Sequence, residues 1–80
     1  MPIFVLQHHH DPEDCATAFA AWHGFPSPLR RQPAPSTCLS GSHRIWWRVE
    51  AASRDAALAL LPRYVAARTE PIEVRDVEIP

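Results

Sequence analysis

The first hydrophobic positions of the chain form a short continuous run. Residues 3–6 read Ile-Phe-Val-Leu, which predicts a strand covered on both faces. Asp11 and Pro12 then predict the start of a helix, because Asp is a favoured N-cap and proline suits the first helical position. Apolar residues recur at helical spacing as far as Gly24, which predicts the end of this helix. The apolar positions of the helix are Cys15, Ala18, Phe19 and Trp22.

A proline-rich segment separates this helix from the rest of the chain. Residues 25–37 contain four prolines, which exclude regular structure from most of the segment. We therefore expect a stiff surface loop, followed by a second strand and a hairpin that turns at Ser40-Gly41-Ser42. The prolines of the loop are Pro26, Pro28, Pro33 and Pro35.

Residues 43–50 predict a third strand, because apolar and polar positions alternate as a half-buried strand requires. One face carries Ile45, Trp47 and Val49. The other face carries Arg44, Trp46, Arg48 and Glu50.

A second helix and a last strand complete the pattern. Ser53 is the predicted N-cap of the helix. Pro62 lies inside the helical pattern and should kink or split it. Pro71 opens the last strand, where the apolar phase changes, which predicts a bulge near residues 75–76. The apolar stripe of the helix is Leu58, Leu61 and Val65.

Two successive strand-helix-strand units predict one ferredoxin-like α+β domain over residues 1–80, in the order βαββαβ. We expect a four-stranded antiparallel sheet of order 4-1-3-2, with two helices on one face. The other face is uncovered and carries Trp46 with Arg44 and Arg48. An uncovered apolar face indicates an interface, so the predicted partner is a second copy of the chain, giving a homodimer or higher oligomer. The predicted core between sheet and helices is Phe19, Trp22, Trp47, Val49, Leu58 and Leu61.

The C-terminal half of the chain resembles the dimeric α/β-barrel superfamily, including muconolactone-isomerase-like proteins. The resemblance rests on the strand end Val49-Glu50-Ala51, the cap Ser53, the helix end Leu60-Leu61-Pro62 and the closing residues 72–77. The closing strand and the Met-Pro start also resemble small nickel-binding ferredoxin-like proteins of GC-rich bacteria. The resemblance implies a dimeric ferredoxin-like fold and transfers no catalytic residue to this chain.

Charge and composition narrow the function classes. The formal net charge of -1 gives no general attraction to nucleic acid or to an anionic membrane. No apolar run approaches the ~20 residues of a membrane helix. All eight basic residues are arginine, which together with abundant alanine and proline indicates a bacterial protein from a GC-rich genome. Two cysteines are too few for a secreted disulfide scaffold, so we expect a cytoplasmic protein with reduced thiols.

The predicted topology gathers histidines at one edge of the sheet. His8 and His10 lie at the end of the first strand, beside His43 at the start of the third. These three are the predicted ligands of a transition metal, Ni, Zn or Cu. His8 and His10 alternate and should share one face, whereas His9 should point to the helix side. Further candidate ligands at this edge are His9, Cys15, Cys38 and Glu70.

The histidines at this edge are consistent with two functions from different classes. A third possibility is that they are only solvated residues at a strand end and have neither function. The first is a small cytoplasmic homo-oligomeric binding protein whose histidine-rich edge holds a transition metal or a small polar ligand. The second is a cofactor-free enzyme of the dimeric α/β-barrel kind, such as an isomerase, a cyclase or a monooxygenase-like protein. In that enzyme His8, His10 or His43 would be the general acid or base.

Overall fold

A computed structural model describes all 80 residues of the chain. Three strands and three short helices form in the order β1 (Ile3–His9), α1 (Cys15–Ala20), β2 (Arg44–Glu50), α2 (Arg54–Leu58), α3 (Arg63–Ala66) and β3 (Thr69–Val74). Single turns of 3-10 helix occur at Pro12–Asp14, immediately before α1, and at Cys38–Ser40, before β2. None of the helices is both long and apolar enough to cross a bilayer.

The sheet is antiparallel, and β1 lies in its centre between β2 and β3. Phe4 and Leu6 of β1 are fully buried on one face, where they pack against residues of α2, α3 and the turn between them. Burial of this apolar surface is the main term that stabilises the fold. The core cluster consists of Phe4, Leu6, Val49, Ala51, Ala57, Leu61 and Val65.

The predicted four-stranded sheet of order 4-1-3-2 is wrong, because its second strand does not form. Pro33 and Pro35 have no amide hydrogen to donate to a ladder. Pairing beside β2 is therefore limited to one bridge, between Ser36 and Ile45. The chain then enters the 3-10 turn at Cys38–Ser40 and reverses at Gly41, whose φ of 93° favours glycine. The sheet has three strands, in the order β2-β1-β3.

In the C-terminal half two expected boundaries are confirmed, but β3 begins at Thr69, before the predicted start at Pro71. The Ser53 hydroxyl accepts a hydrogen bond from the amide of Ala56 at 3.0 Å, so Ser53 caps α2 as predicted. Pro62 splits the predicted helix into α2 and α3. The bulge near residues 75–76 is wrong, since β3 ends at Val74 and the change of apolar phase marks the end of the strand.

The predicted core is correct in part. Val49 and Leu61 are buried, at 7% and 3% exposure. Trp22, Trp47 and Leu58 are half-buried residues packed against the core cluster. Phe19 is 51% exposed, because α1 is short and the proline-rich loop covers only part of its apolar side.

Candidate metal centre

Four side chains with nitrogen or sulfur ligand atoms meet beside the end of β1. His10 directly follows the last residue of β1, and Cys15 is the first residue of α1. Cys38 begins the second 3-10 turn, and His43 directly precedes β2. One ligand atom from each of these residues lies within 4.8 Å of the others. We refer to His10, Cys15, Cys38 and His43 together as the metal centre.

The side chain of His10 is the most buried member of the metal centre, with 2% exposure. Its Nε2 atom lies 3.7 Å from the sulfur of Cys38. A backbone hydrogen bond of 3.2 Å from the His10 amide to the His43 carbonyl fixes the relative position of the two histidines. The distance between their ring centroids is 5.3 Å. The antiparallel pairing of β1 and β2 therefore brings these two histidines together.

His43 carries two marks of a constrained position. Its φ of 54° places a non-glycine residue in the left-handed region, a conformation that costs backbone energy and persists only where the surroundings hold it. Its Nδ1 atom is buried and has no hydrogen-bond partner within the chain. A buried polar atom without a partner is unfavourable. A metal ion bound at Nδ1 would satisfy it.

His8 lies behind the metal centre and determines which nitrogen of His10 carries a proton. His8 Nδ1 lies 3.3 Å from the carbonyl oxygen of Val65 and 3.1 Å from the hydroxyl oxygen of Thr69. That hydroxyl donates to the same carbonyl at 2.7 Å, so both oxygens accept from His8 and Nδ1 must carry the hydrogen. In neutral His8, Nε2 is then an acceptor, and it lies 2.9 Å from Nδ1 of His10.

The consequence for His10 follows from the ordinary chemistry of imidazole. Its Nδ1 must donate to His8, so the lone pair of neutral His10 is on Nε2, the atom that faces Cys38. Metal-binding histidines usually donate their other ring N–H to a fixed acceptor, which orients the ring toward the metal. The contact between His8 and His10 has this arrangement.

Burial and neighbouring groups shift three pKa values in this region. Burial, and then the adjacent His10, lower the pKa of His8 to about 4. Burial, and then the adjacent His43, lower the pKa of His10. Both imidazoles are therefore neutral near pH 7, as a metal ligand must be. Burial, and then Cys38, raise the pKa of the Cys15 thiol, so this thiol keeps its proton when no metal is bound.

The structure separates the sequence candidates into three groups. His10, His43, Cys15 and Cys38 come together in the metal centre. His8 is one hydrogen bond away from it. His9 and Glu70 are exposed and outside it. The expected direction of His9 is wrong, because His8 continues the buried alternation of Phe4 and Leu6, which leaves His9 on the uncovered face. The continuous apolar run of residues 3–6 gave no signal for which face is inward.

Comparison of the chain with protein-family models, with curated proteins and with solved structures finds no match. The resemblance to the dimeric α/β-barrel superfamily therefore stays a prediction. The fold and the site together define a small α+β protein with a cluster of two histidines and two cysteines that could hold a metal ion.

Proposed function

We propose that this protein binds one Zn²⁺ ion through His10, Cys15, Cys38 and His43. The observation that carries the proposal is the convergence of four ligand atoms within 4.8 Å of one another. A tetrahedral zinc site with ordinary Zn–N and Zn–S bonds has ligand–ligand distances of roughly 3.3–3.8 Å. The contact of 3.7 Å between His10 and Cys38 already lies in that range. The remaining ligands would have to move by about an ångström, which side-chain rotation supplies.

The ligand set favours zinc over the other metals that the sequence suggests. Two thiolates and two imidazoles in a tetrahedral arrangement are a common set for structural Zn²⁺. Nickel and Cu(II) prefer square-planar or tetragonal geometry. Cu(I) also accepts thiolates and is the main competitor for this site.

A centre with four protein ligands leaves no open position for a substrate, which favours a structural or metal-holding role. The alternative, an acid–base enzyme, is less well supported. Both ring nitrogens of His8 already have hydrogen-bond partners within the chain. The free nitrogen of His10 faces a thiol. A general base needs a nitrogen that reaches the substrate; neither residue offers one in this arrangement, and the unpartnered Nδ1 of His43 is buried.

Zinc would stabilise this chain by joining the start of α1 and the loop turn to the paired ends of β1 and β2. The four ligands come from the end of β1, the start of α1, the loop turn and the start of β2. The buried cluster contains only seven apolar residues, and domains of this size often need a metal or another cross-link. Because the unfolded chain lacks the assembled site, metal binding would also add to the free energy of folding. A reducing compartment such as the cytoplasm would keep both thiols available.

The uncovered face of the sheet supports a second proposal, pairing with another copy of the chain. In the sheet register, Val5 lies between Arg48 and Ile72, and Ile3 lies opposite Val74. These aliphatic residues are only partly covered in the single chain. On this face β2 contributes two arginines and one glutamate, and β3 contributes Glu70. A two-fold axis parallel to the strands would place β2 of one copy over β3 of the other, so that the arginines face the strand that carries Glu70.

The zinc proposal is tested by metal analysis of protein purified without a His-affinity column and kept reduced. We expect one zinc ion per chain after loading, with a binding free energy of about 10 kcal/mol or more. Cys15→Ser, Cys38→Ser and His43→Asn should each remove tight binding. Asn is chosen at position 43 because it tolerates the left-handed backbone there.

His23→Ala is the matched control. His23 is an exposed histidine in the turn after α1 and does not belong to the metal centre. The His23→Ala substitution should leave zinc affinity and stoichiometry unchanged. Equal, weak binding by the wild type and by all of these variants would overturn the proposal, since it would show only a loose affinity of surface histidines for the metal.

A further inference from the structure

A groove lies next to Phe19, whose ring also lies beside His10 of the metal centre. It is bounded by α1, the proline-rich loop and the inward side of β2, and has a volume of about 320 Å³. Three aromatic side chains, Phe19, Trp22 and Trp47, line it. The other lining residues are Leu29, Arg30, Arg31, Gln32, Ala34, Ser36 and Ile45. This volume lies at the lower end of the range for small-molecule sites.

The loop that forms one wall is held in place at both ends. At its start, the hydroxyl of Ser27 donates to the carbonyl oxygen of Leu60 at 2.7 Å. At its end, the amide of Trp46 donates to the carbonyl oxygen of Pro35 at 2.9 Å. The prolines between these points restrict the backbone further. The groove is therefore formed before any ligand arrives, as binding sites usually are.

The charges at the groove are all of one sign. Arg30 and Arg31 line it, and no acidic residue does. The guanidinium hydrogen bonds within the chain belong to other arginines, namely Arg44, Arg48 and Arg68. Two guanidinium groups without an internal partner thus stand beside an aromatic surface. Arg31 also has a φ of 65°, in the left-handed region that non-glycine residues rarely adopt.

We propose that this groove binds a small aromatic carboxylate. The ring of such a ligand would pack against Phe19, Trp22 and Trp47, where offset and edge-to-face contacts between aromatic groups are favourable. Its carboxylate would accept hydrogen bonds from Arg30 or Arg31, whose planar guanidinium matches a carboxylate in a two-point contact. A neutral aromatic compound would gain only the first of these contributions.

The groove and the metal centre are neighbours but have no residue in common. The Phe19 ring lies edge-on to the His10 ring, with centroids 6.4 Å apart. None of the four residues of the metal centre lines the groove. The ligand proposal goes beyond the proposed zinc function and does not rest on it.

The test is a titration of the whole protein with 2-naphthoate, followed by NMR of the three tryptophan indole N–H signals. We expect the signals of Trp22 and Trp47 to shift. The Trp46 signal should stay in place, because its indole donates to Gln7 at 3.2 Å on the opposite face of the sheet. The neutral analogue 2-naphthylmethanol should bind about tenfold more weakly or worse, since it lacks the charged acceptor.

Two variants and one control complete the experiment. The double variant Arg30→Gln, Arg31→Gln should weaken 2-naphthoate binding about tenfold or more and leave 2-naphthylmethanol unaffected. Ala34→Trp should fill the groove and remove binding of both compounds. Arg63→Gln changes an exposed arginine of α3 outside the groove and should have no effect. The titration is run once in chelator and once with zinc, so that ligand binding can be interpreted even if the protein does not bind zinc.

Several outcomes would overturn the ligand proposal. Equal affinity for the acid and the alcohol would show that the arginines do not recognise a carboxylate. A shift of Trp46 alone would place the compound on the open sheet face, and no shift of Trp22 or Trp47 at millimolar ligand would show that the groove does not bind it.

Discussion

Nε2 of His8 lies 2.9 Å from Nδ1 of His10, and both residues are almost completely buried. His8 contributes no ligand atom to the metal centre, yet its contact assigns the lone pair of His10 to Nε2. The carbonyl of Val65 is the fixed end of this series of hydrogen bonds, because a carbonyl oxygen can only accept. A backbone atom of α3 thus orients a side chain at the end of β1.

The first prediction is that His8→Phe weakens zinc binding without removing a ligand. Phenylalanine keeps a flat ring at the buried position but leaves Nδ1 of His10 without an acceptor. Loss of such a partner costs metal affinity by roughly 10–100-fold. The measurement is a competition titration against a chromophoric chelator at neutral pH.

His9→Phe is the control for this experiment, because His9 is the next residue along the strand but lies on the uncovered face. It should leave zinc affinity close to that of the wild type. If His8→Phe bound zinc as tightly as the wild type, the contact between His8 and His10 would have no role in orienting the ligand.

The sequence indicated the residues of the metal centre better than their arrangement. Topology alone brought His10 beside His43, because consecutive ends of antiparallel strands are neighbours. The separation of His8 from the ligands was not predictable from spacing. The alternation of His8 and His10 fits two arrangements equally well. Both residues could be ligands, or His10 could be a ligand and His8 its hydrogen-bond partner. Which of these forms depends on the positions of Val65 and Thr69, far along the chain.

The missing strand shows a second limit of sequence patterns. The sequence predicts a second strand between the proline-rich loop and the turn at Ser40-Gly41-Ser42. Only Thr37 pairs with β2 there through its backbone amide, which donates to the Arg44 carbonyl at 2.8 Å. The pairing ends there because Cys38 begins a 3-10 turn. A short segment after several prolines has too few free amides to extend a ladder. Local proline spacing, more than hydrophobic alternation, decided the size of this sheet.

The second prediction is that Leu61 contributes more to the stability of the core than Leu58. Leu61 is 3% exposed, whereas Leu58 is only half-buried. Leu61→Ala should lower the free energy of unfolding by about 2–5 kcal/mol, because it removes buried surface and leaves a cavity. Leu58→Ala should cost clearly less. Urea unfolding of the zinc-free proteins measures both, and an equal loss would show that the packing of α2 and the following turn is assigned incorrectly.

The third prediction is acid destabilisation of the zinc-free protein. The pKa of His8 is lowered from 6.5 to about 4 in the folded chain, by burial first and then by His10, with smaller effects from His9 and Arg68. Below pH 6.5 the unfolded chain takes up a proton at this residue, while the folded chain stays neutral until about pH 4. The unfolded state therefore binds more protons, and stability falls as pH falls through this window. The loss from His8 alone is roughly 3 kcal/mol.

Thermal unfolding in chelator at a series of pH values between 7.5 and 4 measures this dependence. His8→Gln should flatten the pH profile, because glutamine does not titrate. His23→Ala should keep the slope of the wild type. A profile with the same slope in His8→Gln and wild type would assign the acid sensitivity to other groups.

The last prediction concerns assembly through the uncovered sheet face. Trp46 is half-buried there, and its indole is held by Gln7 of the neighbouring strand, so it presents a fixed aromatic surface. If a second copy packs on this face, Trp46→Glu would bury an unpaired charge in the interface and should convert dimers to monomers.

Leu39→Glu is the control, because Leu39 is a fully exposed apolar residue of the loop turn, outside the sheet. Light scattering at high micromolar concentration reads the mass of each protein. A wild type that remains monomeric under these conditions would exclude the dimer, and dissociation by Leu39→Glu instead of Trp46→Glu would place the interface on the loop.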